Sequence, residues 1–172
     1  AMSAIDIALW DITGKKLGVP VSVLLGGKVK EKVHVYATGL YYTRKNFNDE
    51  VDERIKEAKK YEKNGFNAMK IKIGALKVDK DLERVSKVKS SLNSNTMLSV
   101  DANQAYDLRT AKYVSDKLHE MDIFFFEEPI MGLDVEGYKE LVRYSKVRIS
   151  GGESLRTRYQ FKDFINNKAF DI

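Results

Sequence analysis

Apolar positions along this chain switch repeatedly between two periods. Ile5, Ala8, Leu9 and Ile12 recur at helical spacing within residues 3–13, with Gly14 as the expected stop. A short turn of helix is expected after Pro20, ended by Gly26 and Gly27. From there, short apolar runs at 33–37, 68–73, 96–100, 123–126 and 147–150 read as strands. Between them lie amphipathic helices. The first carries Val51, Ile55, Ala58 and Tyr61 behind a cap at Asn48; the second carries Leu82, Val85, Val88 and Leu92. Asp107 caps a third with Leu108, Ala111, Val114 and Leu118 facing inward, and a fourth starts near Asp134 with Val135, Tyr138, Leu141 and Val142. A last helix carries Phe161, Phe164 and Ile165, and Phe170-Asp171-Ile172 reads as the start of a sixth strand.

Strands that alternate with helices predict a parallel sheet, because each return to a parallel neighbour needs a crossover. Two α/β architectures meet that pattern: an open doubly wound sheet and an arc of a (β/α)8 barrel. A barrel typically takes ~250 residues, whereas these 172 residues carry about five and a half units. The expectation is therefore an incomplete TIM-type barrel, a piece of a longer protein that starts within a helix and stops within a strand.

Three acids bear on the choice. Asp101, Glu127 and Glu153 each follow a strand run, at intervals of 127 − 101 = 26 and 153 − 127 = 26. That is about one strand, one helix and two loops, so an acid returns to the same place in successive units. A barrel sends all its strand ends to one shared mouth, while an open sheet forms its crevice mainly at one switch point, so the barrel is favoured. Neighbouring strands are ~4.8 Å apart, and three carboxylates that close repel one another without a cation. Oxygen ligands without any cysteine suit Mg²⁺, Mn²⁺ or Ca²⁺ and argue against zinc or copper.

The preceding strand carries Lys70-Ile71-Lys72, whose alternation puts both lysines on one face. Burial and a like-charged neighbour each push a lysine toward the neutral form, which suits a general base. Asn103, in Asp101-Ala102-Asn103-Gln104, is placed to orient a substrate hydroxyl or a metal-bound water. Glu128 should point away from a site that Glu127 faces, which makes it structural.

Composition narrows the partners. The net charge is +5, yet the basic residues lie among acids, as in Asp52-Glu53-Arg54 and Asp81-Leu82-Glu83-Arg84, which read as solvated outer helix faces. No nucleic-acid partner is expected. No apolar run approaches ~18 residues, so no membrane partner is expected either. The absence of cysteine and of a secretory layout fits a cytoplasmic protein.

Together, residues 4–11 (Ala-Ile-Asp-Ile-Ala-Leu-Trp-Asp), Leu24-Leu25-Gly26-Gly27, Lys70 to Gly74, Asp101 to Gln104, Glu127-Glu128-Pro129 and Gly152-Glu153-Ser154 resemble the mandelate racemase and muconate-lactonizing branch of the enolase superfamily. The resemblance runs over essentially the whole chain and is nearest the mandelate racemase-like subgroup. It implies an enzyme that abstracts the proton α to a substrate carboxylate and stabilises the enediolate on Mg²⁺, with Mn²⁺ as a substitute. It assigns Asp101, Glu127 and Glu153 as ligands, Lys72 as base and Lys70 as the neighbour that tunes it. It also implies that residues 1–27 link a largely missing capping domain into the barrel, and that 28–172 form the barrel's first part. The expected protein is a homo-oligomeric dehydratase of an aldonate or aldarate. Alternatives are a racemase, epimerase or cycloisomerase of the same superfamily, or a non-catalytic half-barrel that only binds a divalent ion.

Overall fold

The alternation of periods becomes five strands and five helices in succession. The structure, a computed structural model describing residues 2–172, divides into two compact units, one ending at His34 and the other spanning Val35–Ile172.

The first unit holds α1 (Met2–Leu17) and α2 (Val21–Leu24). Helix α1 runs past Gly14, the stop expected from sequence. It ends instead where Val19 N–H donates to Gly14 O at 3.0 Å and Gly18 N–H to Lys15 O at 3.3 Å, a two-bond closure that satisfies the last carbonyls. A Cβ on Gly14 would lie 2.9 Å from Val19 O, so that glycine admits the returning chain.

The second unit alternates β1 (Ala37–Thr38), α3 (Phe47–Lys63), β2 (Ala68–Lys72), α4 (Val78–Ser91), β3 (Met97–Asp101), α5 (Leu108–Glu120), β4 (Phe125–Glu127), α6 (Val135–Tyr144), β5 (Arg148–Ser150) and α7 (Thr157–Asn166). All four pairings are parallel, and the strand order is β1-β2-β3-β4-β5. A doubly wound sheet reverses its order at a switch point; this one runs in chain order, as a barrel arc does.

One face of the sheet drives assembly. Met69, Ile71, Leu98, Val100, Phe126 and Ile149 are fully buried, packed in one cluster with Val85, Val88, Val114, Leu118, Tyr138 and Leu141 from the helices. Full burial of each such side chain is worth about 1.5–3 kcal/mol. Asp107 caps α5, as expected, by accepting from Thr110 N–H at 2.7 Å, and Asp134 caps α6 by accepting from Gly137 N–H at 2.9 Å.

Three expectations shift. Strand β1 is shorter than the apolar run at 33–37: Val33 and Val35 are exposed and only Ala37 and Thr38 pair with β2. Helix α3 is capped by Asn46, whose Oδ1 accepts from Asp49 N–H at 3.1 Å, while Asn48 lies within the first turn. Residues 170–172 form no strand, although Asp171 N–H donates to Ile149 O at 2.8 Å and its carboxylate accepts from Ile149 N–H at 2.8 Å.

Candidate metal centre

Register builds the site. Lys72 stands opposite Asp101, Asp101 opposite Glu127, and Glu127 opposite Ser150, so one row crosses the C-terminal ends of four strands. Side chains in such a row share a face, the one opposite the helices. Asp101 and Glu127 are the last residues of their strands, whereas Glu153 lies beyond β5 on a loop that turns at Gly152, φ +111°, a conformation that suits glycine.

Asp101, Glu127 and Glu153 each offer a carboxylate oxygen, and these oxygens lie within 4.8 Å of one another. Side-chain exposure is 0% for Asp101 and 12% for Glu127, while Glu153 is open to solvent. Oxygens held ~2.1 Å from one Mg²⁺ lie about 3–4 Å apart, so a modest closure of the three side chains would bring them to the spacing of one such ion.

Two lysines sit against the acids. Lys70 Nζ is 2.6 Å from Glu127 Oε2 and 3.1 Å from Asp101 Oδ2, and Lys72 Nζ is 2.6 Å from Asp101 Oδ2. The direction expected for Lys70 is reversed. Burial lowers its pKa, but hydrogen bonds to Glu127 and Asp101, together with their charges, outweigh burial and raise it. These counter-charges come from two other strands, β3 and β4.

The three carboxylates outnumber the two lysines against them. Burial, followed by the charges of Glu128, Asp101 and Glu127, pushes the Glu153 carboxyl above the usual range, with Lys72 opposing. A hard, oxygen-only cluster with surplus negative charge fits a divalent cation such as Mg²⁺.

Asn103 joins the same group. Its backbone is left-handed, φ 43°, its N–H donates to Asp101 Oδ1 at 3.0 Å, and its Oδ1 accepts from Lys72 Nζ at 2.7 Å. A cavity of about 560 Å³, bordered by Tyr41, Tyr42, Lys72, Gly74, Asn103 and Ala105, opens on this rim.

Behind Lys72 lies a network that contradicts one sequence reading. Asp81 and Arg84, read there as part of a solvated helix face, are buried, as is Glu50. Arg84 Nε contacts both oxygens of Glu50 at 2.9 Å, while its two terminal nitrogens donate to Lys72 O at 2.6 Å and Leu40 O at 2.8 Å. Asp81 accepts from Gly74 N–H at 2.8 Å and from the Tyr42 hydroxyl at 2.5 Å. The signal was available: positions 81, 84, 85 and 88 follow i, i+3, i+4, i+7, which puts both charges on the stripe of Val85 and Val88.

Comparison with known proteins follows the same lines. Residues 53–172 match the family model described as enolase C-terminal domain-like, and residues 1–26 match the mandelate racemase / muconate lactonizing enzyme N-terminal domain. Arabinonate dehydratase of Saccharolobus solfataricus is 36% identical over 171 residues, covering 99% of this chain and 45% of that protein. The crystal structure of 3,6-anhydro-D-galactonate cycloisomerase from Zobellia galactanivorans superposes with a TM-score of 0.90 at 38% identity, covering 99% of this chain and 46% of that one. L-Talarate dehydratase from Polaromonas, crystallised with Mg and L-glucarate, gives a TM-score of 0.84 at 29% identity, covering 98% and 46%. Other relatives include further dehydratases and cycloisomerases and an epimerase. The chain spans a little under half the length of these three proteins.

Proposed function

This chain belongs to the mandelate racemase and muconate lactonizing enzyme family of the enolase superfamily, and from that premise we propose that the whole protein is a Mg²⁺-dependent dehydratase of a sugar acid, an aldonate or an aldarate. The observation that carries the reading is a carboxylate cluster with two lysines on the same sheet face, one of them at the rim of a cavity.

In this reading Asp101, Glu127 and Glu153 hold the ion. Mg²⁺ supplies positive charge that offsets the negative charge developing on the substrate's carboxylate. Lys72 Nζ, in its neutral form, takes the proton from the carbon α to that carboxylate: the C–H bond breaks, an N–H bond forms, and the electron pair passes into the carboxylate. The electron pair then returns to form a Cα=Cβ double bond as the C–O bond to the β-hydroxyl breaks, and the departing hydroxyl takes a proton from the ammonium that Lys72 has become and leaves as water. Lys70 anchors Glu127 and Asp101 and adds a second positive charge beside Lys72. Asn103, hydrogen-bonded to Lys72, lies within reach of a substrate hydroxyl on the cavity side.

The test is exchange of the α-proton in D2O, followed by NMR, with the full-length protein, Mg²⁺ and a panel of aldonic and aldaric acids. Exchange should occur with the wild type and disappear in Lys72→Ala; exchange that survives Lys72→Ala removes the assigned base. Relatives that are cycloisomerases and an epimerase support a second reading with the same ligands and base. A product with no water lost selects it.

A further inference from the structure

Glu153 is the ligand with the least support of its own. It is exposed, it lies past the end of its strand, and the two lysines pair with Asp101 and Glu127 rather than with it. The next residue is tied down on both sides. Ser154 Oγ accepts from Gln104 Nε2 at 2.8 Å and donates to Glu128 Oε1 at 3.1 Å, and Gln104 Nε2 also donates to Glu128 Oε2 at 3.0 Å. Each of the three residues follows one ligand closely: Gln104 after Asp101, Glu128 after Glu127, Ser154 after Glu153.

We propose that Gln104, Glu128 and Ser154 form a clip that positions the metal ligands, and that Ser154 is the positioning residue for Glu153. The inference rests on the reading that the three carboxylates hold a divalent ion. The clip is built from the loops that follow three successive strands, so it fixes those loops relative to one another. Main-chain bonds work in the same direction: Gln104 N–H donates to Glu128 O at 2.7 Å, and Glu128 N–H to Ser150 O at 3.0 Å. Gln104 and Glu128 hold left-handed backbones, φ 66° and 38°. Such conformations cost of order 1–3 kcal/mol and persist where surrounding contacts enforce them.

The glutamate of the clip is 1% exposed, and its hydrogen-bond donors there are a neutral amide and a neutral hydroxyl. A buried carboxylate without hydrogen-bond donors is costly, so losing the Ser154 hydroxyl leaves Glu128 Oε1 short of a donor and frees the Glu153 loop. Gly132 closes the arrangement. Its N–H donates to Gln104 Oε1 at 2.9 Å, and a Cβ there would meet Ser154 Cβ at 3.1 Å, Gln104 Nε2 at 3.2 Å and Glu128 Oε1 at 3.2 Å. A single methyl group at position 132 therefore presses on all three members.

Groups that orient ligands from behind typically contribute 10–100-fold to metal affinity. The experiment measures Mg²⁺ and Mn²⁺ affinity of the full-length protein by calorimetry and Mn²⁺ EPR, at a temperature where circular dichroism shows every variant folded. Ser154→Ala should weaken binding about tenfold, Ser154→Thr, which keeps the hydroxyl, should restore most of it, and Gly132→Ala should weaken it as well. A purely structural role would lower the melting temperature and leave the affinity of folded protein unchanged. Wild-type binding with Ser154→Ala within twofold of it overturns the clip alone. A wild type that binds neither ion overturns the metal reading and the inference with it.

Discussion

Replacing Arg84 by Met keeps an apolar side chain of similar length at a fully buried position and removes the guanidinium. The Glu50 carboxylate, 4% exposed, then loses the Arg84 Nε that both its oxygens share, with Arg54 Nε remaining at 3.9 Å. Breaking a buried ion pair from one side costs about 3–5 kcal/mol. The carbonyls of Lys72 and Leu40 lose donors as well, at about 1–3 kcal/mol for each group left buried and unsatisfied. These losses overlap, so a total near 5 kcal/mol is reasonable, comparable with the whole stability of many domains, about 5–15 kcal/mol. Adding Glu50→Gln removes the orphaned charge but not the unsatisfied carbonyls. The double variant should therefore recover about half of the loss. Urea denaturation of the full-length wild type, the two single variants and the double variant gives the coupling energy directly. A loss under about 1 kcal/mol for Arg84→Met, outside the range expected for a buried pair, would refute the reasoning, as would a double variant no more stable than Arg84→Met.

Two further perturbations read other parts of the molecule. Glu153 holds its proton to higher pH than an ordinary carboxyl, so protons compete with the ion from above the usual carboxylate range; Mg²⁺ affinity measured by calorimetry should fall as pH is lowered toward 5, and a pH-independent affinity would contradict the assignment. Because this folded-state pKa is raised, the same group in metal-free protein favours folding below the ordinary carboxyl pKa and loses that contribution as pH rises through its own. For the cap of α3, Asn46→Ala should cost about 1 kcal/mol in urea denaturation and Asn48→Ala much less; the opposite ranking would return the cap to Asn48.

What the sequence made legible follows from what its periods encode. Alternating apolar positions identify Met69, Ile71, Leu98 and Val100 as one buried face, and by parity the lysines and Asp101 as the other. Asp107 is read correctly because a cap depends on its own few neighbours. Val33 and Val35 mislead because strand formation needs a partner, and on this side β2 pairs with Ala37 and Thr38 alone. The direction at Lys70 depends on carboxylates that lie 31 and 57 residues along the chain, 101 − 70 and 127 − 70, distances a local rule does not span. At Asp81 and Arg84 charge suggests solvent, although the helical stripe they share with Val85 and Val88 points inward.

The row from Lys72 through Asp101 and Glu127 to Ser150 has a consequence for how errors would propagate. Slipping one strand by a single residue would turn its side chain in this row toward the helices and its apolar neighbours toward the opposite face. Ile71, Val100 and Phe126, fully buried and each one position before a residue of this row, thus act as proofreaders of the row's alignment without belonging to it. Selection for a well-packed core and selection for an aligned site are, at these strand ends, one and the same constraint.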